Sequence, residues 1–410
     1  MTSTSGEPVA GASQSPKRRL IRPPSLRTLI AIVVPLLLLA VVIALFVRTN
    51  GAGLNVTPVV PVETVQFGRT VLEPGRIQLN LRNTSPQAIT VTQVNINDAF
   101  WPFTLSGSRT IPRLGSVAVT LDYPWVRGEA YDITLFSSNS IPFKTSVPVA
   151  TTTARASAGT LLSFTLIGLY VGVLPVILGM FWLPVLKQLG PRGMLFLMSA
   201  TVGLLVFLGI DATTEALELG GALGGAFQGT GIVAIGITGT WLLLAAISSR
   251  QANAGRNEAG QRLSLARVIA TGIGLHNLGE GLAIGAAYSV GAATLGTFLV
   301  IGFIIQNITE GLGIIIPIAK DRPTIRSLAL LGLIGGGPAI AGAWIGGLIY
   351  SQALSVLFLA IGAGAVFQVA YAIGRQMIWK DAAARQMPLT TFGGILAGML
   401  VLYMTGVAIK

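Results

Sequence analysis

Two stretches of this 410-residue chain repeat one spacing of polar groups. His276-Asn277-Leu278-Gly279-Glu280-Gly281 is followed, thirty positions on, by Gln306-Asn307-Ile308-Thr309-Glu310-Gly311. In each, the polar residues stand at i, i+1 and i+4, so a helix gathers them on one face. Both stretches lie in apolar surroundings, and His276 is the only histidine in the sequence. An ionised carboxylate at bilayer depth costs roughly 2.5–3.5 kcal/mol even on lenient insertion scales, so Glu280 and Glu310 need a compensating partner. A divalent cation held between two helices is the simplest one. One imidazole and two carboxylates balance a 2+ charge, and amide oxygens fill the remaining positions as weak ligands. A structural zinc site would be closed, typically with thiolates, and this chain has no cysteine. Oxygen-rich ligation suits an ion that must be released, and it tolerates zinc, iron, manganese or cadmium.

Composition bounds what surrounds such a site. Hydrophobic residues make up 52% and charged residues 10%, and the mean hydropathy is +0.73, beyond an ordinary soluble domain. The net charge of +12 does not form a docking face for nucleic acid. Its basic residues fall between apolar runs, as the positive-inside rule requires of cytoplasmic connections. A membrane-embedded metalloprotease would need a motif such as His-Glu-x-x-His, which one histidine cannot supply. The reading is therefore a non-enzymatic membrane protein with no resident prosthetic group.

Four regions position the motifs. Residues 1–28 read as a disordered basic cytoplasmic tail, and 29–48 as an uncleaved transmembrane anchor, since the apolar run exceeds the core of a signal peptide. Residues 55–150 alternate in short runs (77–81, 89–96, 116–121, 131–136) broken by turns such as Glu73-Pro74-Gly75 and Val126-Arg127-Gly128. That pattern predicts a small extracytoplasmic β-sandwich. It has no His or Cys to ligate copper, Trp101 and Trp125 read as core or interface residues, and its partner is not legible. From 158 to 410 the chain divides into eight spans, about 161–186, 194–210, 227–247, 265–289, 295–318, 325–350, 354–373 and 389–408. Alternate connections carry basic residues such as Lys187 and Arg192, Arg250 and Arg262, Lys320 and Arg322, and Arg375 and Lys380. The second instead carries Asp211, Glu215 and Glu218. This places the β domain and the C-terminus outside the cytoplasmic membrane. His276 and Gln306 fall at equal depth in antiparallel neighbours, with Gly272, Gly274, Gly281, Gly285, Gly302, Gly311 and Gly313 expected to let those two helices approach.

The two motifs, one helix apart, resemble the metal-binding pair of the ZIP family of zinc and iron transporters, and the GufA-like bacterial branch in particular. The resemblance covers the eight-span core; the tail, anchor and β domain are additions. It implies a polytopic α-helical fold that carries a divalent metal, zinc first, toward the cytosol. It implies a primary site of His276, Glu280, Gln306 and Glu310, and a secondary one adding Asn277 and Asn307. Asp211 and Glu215 resemble the family's acidic stretch at the entrance; plain solvated loop residues are the alternative. A homodimer is left open. The chain departs from the pattern where the family places proline before each glutamate (here Gly279 and Thr309). It departs again where the sixth span brings an acid before a proline: Gly335-Gly336-Gly337-Pro338 has none. By resemblance that position faces His276 and Glu310, so its glycine implies a single metal per protomer. The alternative function is a non-transporting receptor or metal sensor on a degenerate ZIP scaffold.

Overall fold

The computed structural model describes residues 26–49, 62–153, 155–223, 225–252, 257–289, 293–349, 351–380 and 389–409. The basic tail lies outside these except for its last three residues, which already belong to helix α1 (Leu26–Arg48). The chain divides into two units, Met1–Val60 and Pro61–Lys410. In the first, α1 contains the apolar run Val33–Phe46.

The second unit begins with a β region: β1 (Val65–Glu73), β2 (Arg76–Asn83), β3 (Ile89–Ile96), β4 (Ala99–Phe100), β5 (Thr104–Leu105), β6 (Thr110–Ile111), β7 (Ser116–Leu121), β8 (Tyr131–Ser137) and β9 (Pro142–Val147). The four runs that alternate in sequence are β2, β3, β7 and β8. One antiparallel sheet has the order β1-β2-β7-β5, the other β4-β3-β8-β9 with β6 beside β3. Inward residues of both, among them Ile77, Leu79, Val91, Val119, Ile133 and Leu135, form one core. The tight turns require glycine: Gly75 and Gly128 have φ of +73° and +90°, where a Cβ is strained. The two tryptophans are structural. Trp101 Nε1 donates to Asp122 O at 3.0 Å and Trp125 Nε1 to Glu73 O at 2.7 Å.

Eleven further helices follow: α2 (Ala158–Gly168), α3 (Leu174–Met180), α4 (Leu183–Leu186), α5 (Pro191–Gly221), α6 (Gly229–Ala252), α7 (Glu258–Ser289), α8 (Ala293–Ile315), α9 (Ile325–Gly336), α10 (Pro338–Leu348), α11 (Gln352–Lys380) and α12 (Leu389–Ile409). Seven helical segments among the described residues are long and apolar enough to cross a membrane, the build of a multi-pass membrane protein. Of the eight expected core spans, 265–289 is the one not among them. It forms α7, and its His276, Asn277 and Glu280 depress the very apolarity by which a span is recognised. The expected anchor 29–48 contributes only the shorter run Val33–Phe46.

Two expected spans are broken. The first is α2 and α3 joined by a π-helical turn, Leu169–Val173; the sixth is α9 and α10, meeting at Gly337-Pro338. Proline causes both breaks, because Pro175 and Pro338 cannot donate to the carbonyls four residues before them. Such interruptions are tolerated in a membrane only where other groups re-satisfy the freed backbone.

Two sequence expectations are corrected. Asp211, Glu215 and Glu218 do not lie in a connection: α5 runs on through Gly221, since the Ala-, Leu- and Glu-rich stretch after Asp211 favours helix. Six of the glycines expected at the α7–α8 contact, Gly272, Gly274, Gly281, Gly285, Gly311 and Gly313, do not serve it either. A Cβ on Gly281 or Gly285 would stand 2.1 or 2.4 Å from a carbonyl of α10, on Gly274 2.2 Å from Ile334 O of α9, and on Gly311 2.1 Å from Val176 O of α3. Gly272 and Gly313 likewise face Val369 of α11 and Thr201 of α5. The face that α7 turns to α8 is taken by the polar motif, so close backbone packing goes to the other faces.

Candidate metal-binding site

His276 and Glu280 of α7 and Glu310 of α8 are buried together, each offering one ligand atom within 4.8 Å of the others. His276 Nε2 lies 3.4 Å from Glu280 Oε1. Gln306 joins them, its Nε2 donating to Glu280 Oε1 at 2.6 Å and approaching Glu310 Oε1 at 3.5 Å. Asn307 Nδ2 donates to Glu280 Oε2 at 2.9 Å. Asn277 is fully buried beside them on α7. All six residues of the two motifs are thus brought to one seam between antiparallel helices.

The asparagines connect this seam to the broken helices. Asn307 Nδ2 also donates to Val171 O at 3.0 Å, and the residue four beyond Val171 is Pro175. Asn277 Nδ2 donates to Gly335 O at 3.0 Å, beside Ile334, whose own partner four residues on would be Pro338. Each amide is oriented by this bond: the nitrogen must face the carbonyl, so Oδ1 faces away. The result is a set of buried acceptors with no donor, Asn277 Oδ1, Asn307 Oδ1 and Glu310 Oε2, with His276 Nε2 alongside. Buried polar atoms left in this way cost about 1–3 kcal/mol each. A cation can be held by all four atoms together.

The two halves correspond residue by residue. Asn277 reaches Gly335, and Gly281 packs on Ala339, one past Pro338; Asn307 reaches Val171, and Gly311 packs on Val176, one past Pro175. Leu278 O meets Gly342, and Ile308 O meets Gly179. Four residues separate Gly335 from Ala339, but five separate Val171 from Val176, and the π turn absorbs the extra one. Broken helices in matched positions around a buried site are the build of many secondary transporters.

The departures from the family pattern have local answers. Thr309 Oγ1 bonds to Gln306 O at 2.6 Å, a side-chain bond that bends a helix. Gly279 leaves room: a Cβ there would be 3.6 Å from its nearest atom. Gly337 is confined by its own helix turn. The three atoms nearest a Cβ all belong to Leu333, the closest 2.4 Å away. Asp211 and Glu215 are exposed on α5, near enough for their charges to act on His276.

Sequence reasoning missed the carbonyls of Val171 and Gly335, although Pro175 and Pro338 in mid-span were the available signal. It also missed Gly362 of α11, where a Cβ would stand 3.1 Å from His276 Cα and 3.3 Å from Nδ1. Nothing in a single sequence pairs α11 with α7. No family model matches this chain, and no curated protein matches it in sequence.

Proposed function

We propose that the protein carries a divalent metal ion, zinc first among the candidates, across the cytoplasmic membrane toward the cytosol, as a relative of the ZIP family. The observation that carries this reading is the buried His276–Glu280–Glu310 cluster set among the donor-less amide oxygens of Asn277 and Asn307, whose nitrogens bond to the paired broken helices. An eight-span core results if α7 is counted as a membrane helix with the seven more apolar segments. His276, Glu280, Gln306 and Glu310 are the proposed primary ligands, with Asn277 and Asn307 beside them; Asp211 and Glu215 draw cations toward the site. The ion is cargo, held by weak oxygen ligands that let it leave. The two-sheet β region is read as a sandwich outside the membrane.

The test is flux of zinc, iron, manganese and cadmium in proteoliposomes, with Glu280→Gln and Glu310→Gln as controls. Metal-dependent flux that both substitutions abolish supports the reading; unchanged flux in both overturns it. A metal sensor is the second reading, favoured by the way the β region is tied to the core. Arg69 Nη1 donates to Leu348 O at the end of α10 at 3.3 Å, and Arg155 pairs with Glu73. Site-dependent binding without flux selects it.

A further inference from the structure

The α7–α8 seam is fastened twice. At one level are the carboxylates and amides of the two motifs. Roughly four turns away, at the first turn of α7, Arg262 meets Asp321, which follows the short 3-10 turn Ile316–Ile318 after α8. The pair is a fork: Nη2 donates to Asp321 Oδ1 at 2.6 Å and Nε to Oδ2 at 2.8 Å. The two side chains are only 34% and 19% exposed. Two parallel bonds fix the angle as well as the distance between their carriers. Glu258, one turn back on α7, adds a 3.3 Å contact to Nη1. The hydrogen bonds to Asp321 raise the guanidinium above its ordinary pKa, against the opposing effect of its burial.

Between these two fastenings the seam is apolar. A cavity of about 10 Å³, room for a single water, touches Gln306, Thr309 and Glu310 together with Ile273 and Thr201. Past Thr201 the packing is closed, a crevice too tight for a water that is lined by Ile269 of α7 and by Ile316 and Pro317 beyond α8. Ile269 lies between His276 and Arg262 along α7, and Ile316 between Glu310 and Asp321. The crevice therefore runs from the ligand cluster toward the fork. Backbone-to-backbone packing through glycine holds α7 to α10 and α8 to α3, whereas α7 meets α8 through side chains, the polar motifs and apolar residues such as Ile273 and Ile314.

We infer that the Arg262–Asp321 fork is a latch that holds α7 and α8 together and closes the path between the buried cluster and the face on which Arg262 stands. Parting the fork lets the apolar crevice widen and wet; closing it seals the site from that side. This rests on the transport reading for its purpose, but its test does not use metal. The chain contains no cysteine, so Thr201→Cys places a single thiol between the cavity and the crevice. Its reaction with a small water-soluble methanethiosulfonate is measured on the full chain in detergent.

The latch predicts slow labelling with the fork intact and about tenfold faster labelling in Asp321→Asn or Arg262→Gln, the factor that ~1.4 kcal/mol produces. Arg262→Lys, which keeps the charge but loses the fork, falls between. The exchanged pair Arg262→Asp with Asp321→Arg returns toward the slow rate, which a merely misfolded variant would not do. Equal rates in all of these overturn the latch. That result with intact metal flux leaves the transport reading standing, whereas fork-dependent labelling without flux in any variant removes the transport reading alone.

Discussion

Asn277 and Asn307 are alike in sequence context yet unequal in what they hold, and their removal should show it. Asn277→Leu loses the neutral bond to Gly335 O and a weaker approach to the Glu310 carboxylate. Interhelical hydrogen bonds of this kind average about 0.6 kcal/mol in membrane proteins and reach roughly 1.7. Asn307→Leu loses the equivalent bond to Val171 O and also the bond to Glu280 Oε2. A hydrogen bond to a charged group contributes about 1.5–3 kcal/mol, so Asn307→Leu should cost about 2 kcal/mol more than Asn277→Leu. Leucine has the branched outline of asparagine but more volume, and the over-packing it brings falls on both positions alike. The assay is reversible unfolding in mixed micelles, followed through the six tryptophans. A difference under about 0.5 kcal/mol, or the reverse order, would mean that the Glu280 carboxylate is not held as described, the charge-assisted bond being the whole source of the gap.

Four further outcomes are expected. Gly281→Ala or Gly342→Ala should disrupt folding, because each Cβ would come 2.1 Å from a carbonyl of the facing helix, while Gly279→Ala, with 3.6 Å of clearance, should be tolerated; thermal melts of the three variants separate them. Tyr131 is raised above its ordinary pKa by burial first, with Glu129 adding to it and the Val126 N–H opposing. Its contribution is therefore complete below pH 10 and lost as pH rises through the folded value; an alkaline unfolding step of the β region should disappear in Tyr131→Phe. Arg262 is likewise raised, so its guanidinium stays charged at any working pH; the thiol at Thr201→Cys reacts faster as it ionises, but the ratio of its labelling rates with and without Asp321→Asn should respond to salt and not to pH between about 6 and 9. Gly337→Glu should not create a second metal position, since its side chain would start against Leu333; metal counting by mass spectrometry should find no added ion.

The legible part of this fold was the part written in periodicity. The alternation at 77–81, 89–96, 116–121 and 131–136 marked four strands, and apolar length marked most of the helices. The edge strands β1 and β9 alternate less cleanly and were not marked. The polar spacing at His276 and Gln306 marked one seam, because residues at i, i+1 and i+4 share a face wherever the helix goes. What periodicity does not encode is which helix lies against which. The glycines of α7 read as serving its neighbour in sequence, yet they serve α9, α10 and α11, which lie farther along the chain. Asp211 and Glu215 read as loop residues because charge marks a membrane boundary more strongly than it marks the end of a helix. Arg262 and Asp321 entered only as counters of topology, and their meeting required the turn after α8.

The glycine contacts between α7 and α10 recur every four residues. Gly281 and Gly285 stand against Ala339 O and Ala343 O, while Gly342 and Gly346 stand against Leu278 O and Leu282 O. Each glycine is a notch and each carbonyl a tooth. Sliding one helix along the other by less than about 6 Å, four residues at ~1.5 Å each, would drive teeth into side chains instead of notches. The pair is geared and has no small gliding motion. Gly179 and Gly311 mesh α3 with α8 in the same fashion. Any rearrangement at the His276 seam must then carry α10 along with α7 and α3 along with α8.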